Sequence, residues 1–127
     1  MTHDDTIWLA AYLEGEGTFN LYIQSGRKRP QVRVAVSSSD LDVLERAARI
    51  MASNVYGPYT PSQTHSLGKK SRWVAQVHGQ RAQALMAELL PHMGQRRSAR
   101  IRECLAVQVA EFPNLARDPA TGRTVIV

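Results

Sequence analysis

Apolar positions along this chain change period several times, and each change marks a new element. Leu9 and Leu13 lie four apart on one helical face, while Ala11 and Gly15 lie four apart on another, so the run from Trp8 to Gly15 predicts a short helix. After Gly17 the period switches to two, with Phe19, Leu21 and Ile23 on one side and Thr18, Asn20, Tyr22 and Gln24 on the other. Residues 25–30 predict a basic turn, after which Val32, Val34 and Val36 alternate with Gln31, Arg33, Ala35 and Ser37. Together these make a hairpin with one apolar face and one polar, basic face. Asp40 is placed to cap a helix through Leu41, Leu44, Ala48 and Met51. A short strand broken by Gly57-Pro58 follows over 55–60, then a polar loop over 61–70. From Ser71 to His78 the alternation returns, with Trp73, Ala75 and Val77 against Arg72, Val74, Gln76 and His78. Helices are expected over about Gln80 to Leu90, closed by Pro91, and over about Ser98 to Glu111 through Ile101, Leu105 and Val109. The order helix, strand, strand, helix, strand, strand, helix, helix predicts a single α+β domain over 1–112. The tail, 113–127, is expected to lie loosely on the surface.

The first helix carries more than packing. Its Ala11/Gly15 face has almost no side chain, which lets a second helix approach closely. Glu14 and Glu16 fall at its C-terminal end, where the helix dipole disfavours carboxylates, so a cation is expected nearby. The polar face of the strands is also unusual for a solvated surface. It holds Asn20, Tyr22, Gln24, Arg29, Gln31, Arg33, Arg72, Gln76 and His78, and such Asn, Gln and Arg side chains read base edges.

Composition points the same way. A net charge of +5 and a pI near 9.9, with arginine well ahead of lysine, favour a polyanionic partner, nucleic acid first. A lone cysteine, Cys104, in a helical pattern predicts an idle buried thiol and a reducing compartment. No secretory leader or membrane-length apolar run is present, so the expectation is a cytoplasmic protein without a membrane partner. His3, His65, His78 and His92 share no spacing, and zinc, phosphate-loop and Ser/His/Asp signatures are lacking, so no small-molecule substrate is expected.

The run LAAYLEGEG, residues 9–17, resembles the LAGLIDADG motif of homing endonucleases. It keeps Leu9, Ala10, two acidic positions as Glu14 and Glu16, and the closing Gly17; it departs at Ala11, usually glycine, and in using Glu for Asp. The element order matches the αββαββα layout of one LAGLIDADG unit over about residues 6–110. The resemblance implies a four-stranded antiparallel, saddle-shaped sheet that lies in the DNA major groove. A chain with one motif implies a homodimer joined through the motif helices, here at Trp8, Ala11 and Gly15. Dimerisation would bring the two Glu16 carboxylates, with the Gly15 carbonyls, to the twofold axis as ligands for Mg2+ or another divalent cation such as Mn2+. For Glu14, a capping or arginine-pairing role and a direct metal role stand level.

Two further catalytic positions follow from the resemblance. Counting from Pro91, the family's basic residue falls at Arg96, and the water-orienting polar residue after the second strand falls at Ser38, where glutamine is often seen. Arg27, Lys28, Lys69 and Lys70 are expected to contact phosphates, and the polar strand residues to read bases. The resulting reading is a homodimeric, magnesium-dependent endonuclease of intron-homing type that cuts a long pseudo-palindromic double-stranded DNA site. The alternative is a non-cleaving DNA-binding protein, or an RNA splicing cofactor, on the same scaffold. A basic α+β domain with a protein or small-molecule partner is a third, weaker reading.

Overall fold

The computed structural model describes residues 1–22, 30–60, 70–111, 115–117 and 124–126. Helix α1 spans His3–Glu16 and starts earlier than its apolar pattern, because Thr2 and Asp5 form a reciprocal cap. The Thr2 hydroxyl accepts from the Asp5 N–H at 3.0 Å, and the Asp5 carboxylate accepts from the Thr2 N–H at 3.4 Å. Strands β1 (Gly17–Tyr22) and β2 (Gln31–Ser38) pair antiparallel; α2 (Leu41–Met51), β3 (Val55–Tyr59), β4 (Arg72–His78) and α3 (Gln80–Leu89) follow. A 3-10 turn, Leu90–His92, contains Pro91 and leads into α4 (Gln95–Glu111).

Strands β1 to β4 form one antiparallel sheet in the order β1-β2-β4-β3. Period-two alternation divides its faces. Phe19, Val32, Val34, Val36, Ala75 and Val77 are buried. They share a core with Leu9, Ala10 and Leu13 of α1, Leu44, Ala47 and Ala48 of α2, Ala82, Met86 and Leu89 of α3, and Ile101 and Cys104 of α4. Burying each large aliphatic side chain contributes about 1.5–3 kcal/mol, so the helices are fixed against the sheet by this one apolar layer.

Three expectations change. Asp40 occupies the N-cap of α2 without a side-chain cap bond; instead the Ser38 hydroxyl accepts from the Asp40 N–H at 2.9 Å. Helix α4 begins at Gln95 rather than near Ser98, because the Gly94 carbonyl accepts from the Ser98 N–H at 2.8 Å and so opens the helix early. The tail is not wholly loose: β5 (Leu115–Arg117) and β6 (Thr124–Ile126) pair antiparallel as a separate two-stranded sheet. No helix of the described residues is long and apolar enough to cross a membrane.

Candidate nucleic-acid interface

Residues directly opposite on neighbouring strands share a face, so the register assembles the polar side of the sheet row by row. Asn20, Arg33 and His78 stand side by side across β1, β2 and β4; Thr18, Ala35 and Gln76 form the next row. Beyond them Ser37, Val74 and Tyr56 continue onto β3. The polar side chains hold one another. Arg33 Nε donates to Asn20 Oδ1 at 3.2 Å, and the Tyr22 hydroxyl donates to Gln31 Oε1 at 3.3 Å. The Arg33 guanidinium carbon lies 5.6 Å from the Tyr22 ring centre, which is 6.0 Å from that of His78. Arg72 donates to the Ser37 hydroxyl and, at 3.1 Å, to its carbonyl. Such mutual support lowers the rotamer entropy lost when the face meets a ligand.

Asn20, Tyr22, Gln31, Arg33, Arg72, Gln76 and His78 therefore lie on one surface, as the alternation predicts, with Arg72, His78 and Lys70 exposed. Gln24, Arg27, Lys28, Arg29 and Lys69 lie outside the described residues. Sequence reasoning missed Tyr56 and Tyr59. Both are exposed, at 39% and 55%, and register with Val74 and Arg72 places them at the β3 edge of this same face. With β3 so short, the alternation alone did not reveal which side they occupy.

At the end of α1 the two motif carboxylates separate. Glu14 is engaged: its Oε1 accepts from the Gly94 N–H at 2.8 Å, and its Oε2 lies 3.9 Å from Arg97 Nε. The same Arg97 Nε donates to the Glu14 backbone carbonyl at 3.2 Å, and its guanidinium carbon sits 5.9 Å from the Phe19 ring centre. These contacts fit the capping and arginine-pairing reading of Glu14, while its Oε2 is buried and has no hydrogen-bond partner among the described residues. Glu16, the last residue of α1, is exposed and forms no hydrogen bond or ion pair among the described residues. Gly17 then turns the chain into β1 with its N–H on the Leu13 carbonyl. A Cβ at Gly17 would fall 2.7 Å from that oxygen, so the close approach demands glycine.

Ala11 and Gly15 are exposed, and a Cβ at Gly15 would meet nothing within 4 Å. Ile7, one turn earlier on the same stripe, is 46% exposed and extends the face; its spacing of four from Ala11 was the available signal. Trp8 is half-buried, stacked on Tyr12 at 5.3 Å and covered by the Arg46 guanidinium at 4.3 Å. Trp8, Ala11, Tyr12, Asp42, Val43 and Arg46 line an open groove of about 540 Å³ beside this stripe.

The other expected site residues are placed as follows. Arg96 is exposed in the first turn of α4, one residue from the Arg97 that grips Glu14. The Ser38 hydroxyl is occupied as acceptor for the Asp40 N–H. Cys104 is buried, and burial pushes its thiol pKa up, with the Arg100 charge opposing and the Glu103 charge adding to the rise. Among the described residues no three His, Cys, Asp or Glu side chains converge on one metal-sized site.

No protein-family model and no curated protein matches the sequence. Solved structures do. One is the homing endonuclease I-CvuI in complex with a target in the presence of magnesium, its DNA not cleaved: TM-score 0.63, 19% identity, covering 89% of this chain and 72% of that one. The group I intron-encoded homing endonuclease I-CeuI, complexed with DNA, matches with TM-score 0.57 and 16% identity over 87% of this chain and 56% of its own. The LAGLIDADG homing endonuclease I-GzeII, in complex with a DNA target, matches with TM-score 0.59 and 17% identity over 87% of this chain and 38% of its own. The four-stranded sheet, the motif helix and these structural matches agree: this chain has the fold of the LAGLIDADG homing endonucleases.

Proposed function

We propose that two copies of this chain form a site-specific DNA endonuclease that hydrolyses phosphodiester bonds in a long pseudo-palindromic double-stranded target. The observation that carries this is the division of labour at the end of α1, where Glu14 is held through Oε1 by the Gly94 N–H and through its carbonyl by Arg97, and Glu16 is left exposed. A carboxylate at a helix C-terminus is disfavoured, and Glu16 has no compensating cation among the described residues, which suits a metal ligand. The Glu16 carboxylate and Gly15 carbonyl are hard oxygen donors, the set that takes Mg2+ or Mn2+. One carboxylate per chain makes a weak site alone, so the reading requires a second chain, and the exposed Ile7/Ala11/Gly15 stripe is the surface for it. A divalent ion bound there supplies charge neutralisation at the scissile phosphate and a more acidic water.

The chain's own residues do the rest. The β1-β2-β4 face binds the major groove, with Asn20, Arg33, Gln76 and their neighbours at base edges and Lys70 at phosphate. Arg96 offers a permanent positive charge to the phosphate. The Ser38 hydroxyl, having used a lone pair on Asp40, keeps its proton to donate to solvent.

Target selection from a random DNA library in calcium yields the substrate, and cleavage with magnesium is then compared for wild type and Glu16→Gln. The variant keeps the size and loses the charge, so it binds the target and does not cut. Full cleavage by the variant refutes the metal assignment. A wild type that binds and never cuts identifies a non-cleaving DNA-binding protein, or an RNA splicing cofactor, instead.

A further inference from the structure

Helix α1 delivers Gly15 and Glu16 at its frayable end, where the last four carbonyls of any α-helix lack intrahelical partners. Here that end is not left to solvent. The Gly17 N–H takes the Leu13 carbonyl, and Arg97 Nε takes the Glu14 carbonyl at 3.2 Å. The next carbonyl in the series belongs to Gly15. Glu14 adds a second tether through its side chain, because its Oε1 accepts from the Gly94 N–H at 2.8 Å. Gly94 is the residue whose carbonyl receives the first bond of α4, from the Ser98 N–H at 2.8 Å. Glu14 thus sits at the positive N-terminal end of α4, which offsets its unfavourable place at the negative end of α1.

Gly94 supplies an independent observation. Its backbone is not in the left-handed region, so glycine is not required there for conformation. What a Cβ at position 94 would meet is the Glu14 carboxyl group alone, the end of a flexible side chain, so an added methyl displaces that carboxylate from its present place. The bare α-carbon at 94 thus leaves the carboxylate room to reach the Gly94 N–H.

We infer that Glu14, Gly94 and Arg97 form a clamp that positions Gly15 and Glu16 for metal binding, with Glu14 and Gly94 as positioning residues rather than ligands. The inference rests on the proposed metal role of Glu16. The clamp joins α1 to α4 at one point, so the direction of the Glu16 carboxylate depends on a residue nearly eighty positions away in sequence. Its contribution falls on metal affinity and cleavage rate, while DNA affinity resides on the sheet face.

The test is a double-mutant cycle on the protein bound to the selected target. Calcium binding to the protein–DNA complex is measured by calorimetry, DNA affinity by anisotropy and cleavage in magnesium. Glu14→Ala and Gly94→Ala are each expected to weaken calcium binding and slow cleavage about tenfold, as removal of a group supporting a metal ligand does, with DNA affinity unchanged. Gly94→Ala in the Glu14→Ala background adds nothing further, because the collision partner is gone. Glu14→Gln keeps an acceptor for the Gly94 N–H and retains most of the wild-type metal affinity. Wild-type metal affinity and rate in both alanine variants overturn the clamp, and so do additive losses. If Glu16→Gln abolishes cleavage while Gly94→Ala leaves it intact, the clamp alone fails. If the wild-type complex takes up no calcium, the metal role and the clamp fall together.

Discussion

Arg33→Ala tests the sheet face most directly, because the structure shows what that side chain has left to give. Arginine carries five N–H donors, and one of them, on Nε, is held by Asn20 Oδ1 at 3.2 Å. The two terminal nitrogens keep the remaining four, enough for a bidentate contact with the O6 and N7 of guanine. The Tyr22 ring at 5.6 Å and the Asn20 amide limit the guanidinium's freedom before any DNA arrives. A contact of that kind is worth about 1–3 kcal/mol of discrimination, or roughly 5- to 140-fold in affinity for the preferred base. Inside the free protein the loss is smaller. One half-buried hydrogen bond contributes about 0.5–1.5 kcal/mol, which a folded domain with about 5–15 kcal/mol to spare tolerates. Wild type and variant are compared by competition anisotropy in calcium, on the selected target and on targets changed one base pair at a time. The expected variant binds the selected target 5- to 140-fold more weakly and becomes indifferent to the base pair that Arg33 read. A uniform loss on every sequence, with a shallower salt dependence, would make Arg33 a phosphate contact and refute the base-reading row.

Two other substitutions separate neighbouring surfaces. Ala11→Leu adds a branched side chain at a position exposed in a single chain, so the protomer folds normally while the helix pair is forced apart; sedimentation should show monomer, and an intact dimer would put the interface elsewhere. Lys70→Ala, at an exposed position beside β4, should weaken binding alike on all sequences and reduce the slope of log affinity against log salt by about one; a sequence-dependent loss would move Lys70 among the base readers.

The strands were legible in the sequence because a half-buried antiparallel sheet enforces a period of two. Val32, Val34 and Val36 are buried and Arg33, Ala35 and Ser37 are not, as their alternation requires. The motif helix was legible for a different reason, its small-residue stripe and acidic end standing apart from the apolar face that packs on the core. What stayed hidden depends on contacts between distant segments. Glu14 meets Gly94 and Arg97 from the far end of the chain, and no local pattern announces that meeting. The early starts of α1 and α4 come from single hydrogen bonds at Thr2, Asp5 and Gly94, whereas periodicity reports only where apolar residues begin. The pairing of β5 with β6 was missed because a three-residue strand is too short to show a period.

The two halves of the proposed activity are built with different tolerance for change. On the sheet, side chains of the outer face alternate with the core residues that hold the strand, so Asn20, Arg33 or Gln76 can be replaced without touching Val32, Val34 or Val77. Their mutual hydrogen bonds, at 3.2–3.3 Å, lie between neighbours on that same face. The end of α1 has no such slack. Leu13 is fully buried beneath Gly17, whose approach to the Leu13 carbonyl excludes any side chain, and the Glu14 carboxylate accepts from the N–H of Gly94, just before α4. If Glu16 holds the metal as proposed, a side chain added at Gly17 is expected to move its carboxylate, and about a 1 Å displacement of a reacting group is enough to cost two orders of magnitude in rate. Target preference can therefore drift by single substitutions on a surface that the fold does not depend on. The end of α1 that carries Glu16 is instead tied to the core through Leu13 and Gly17.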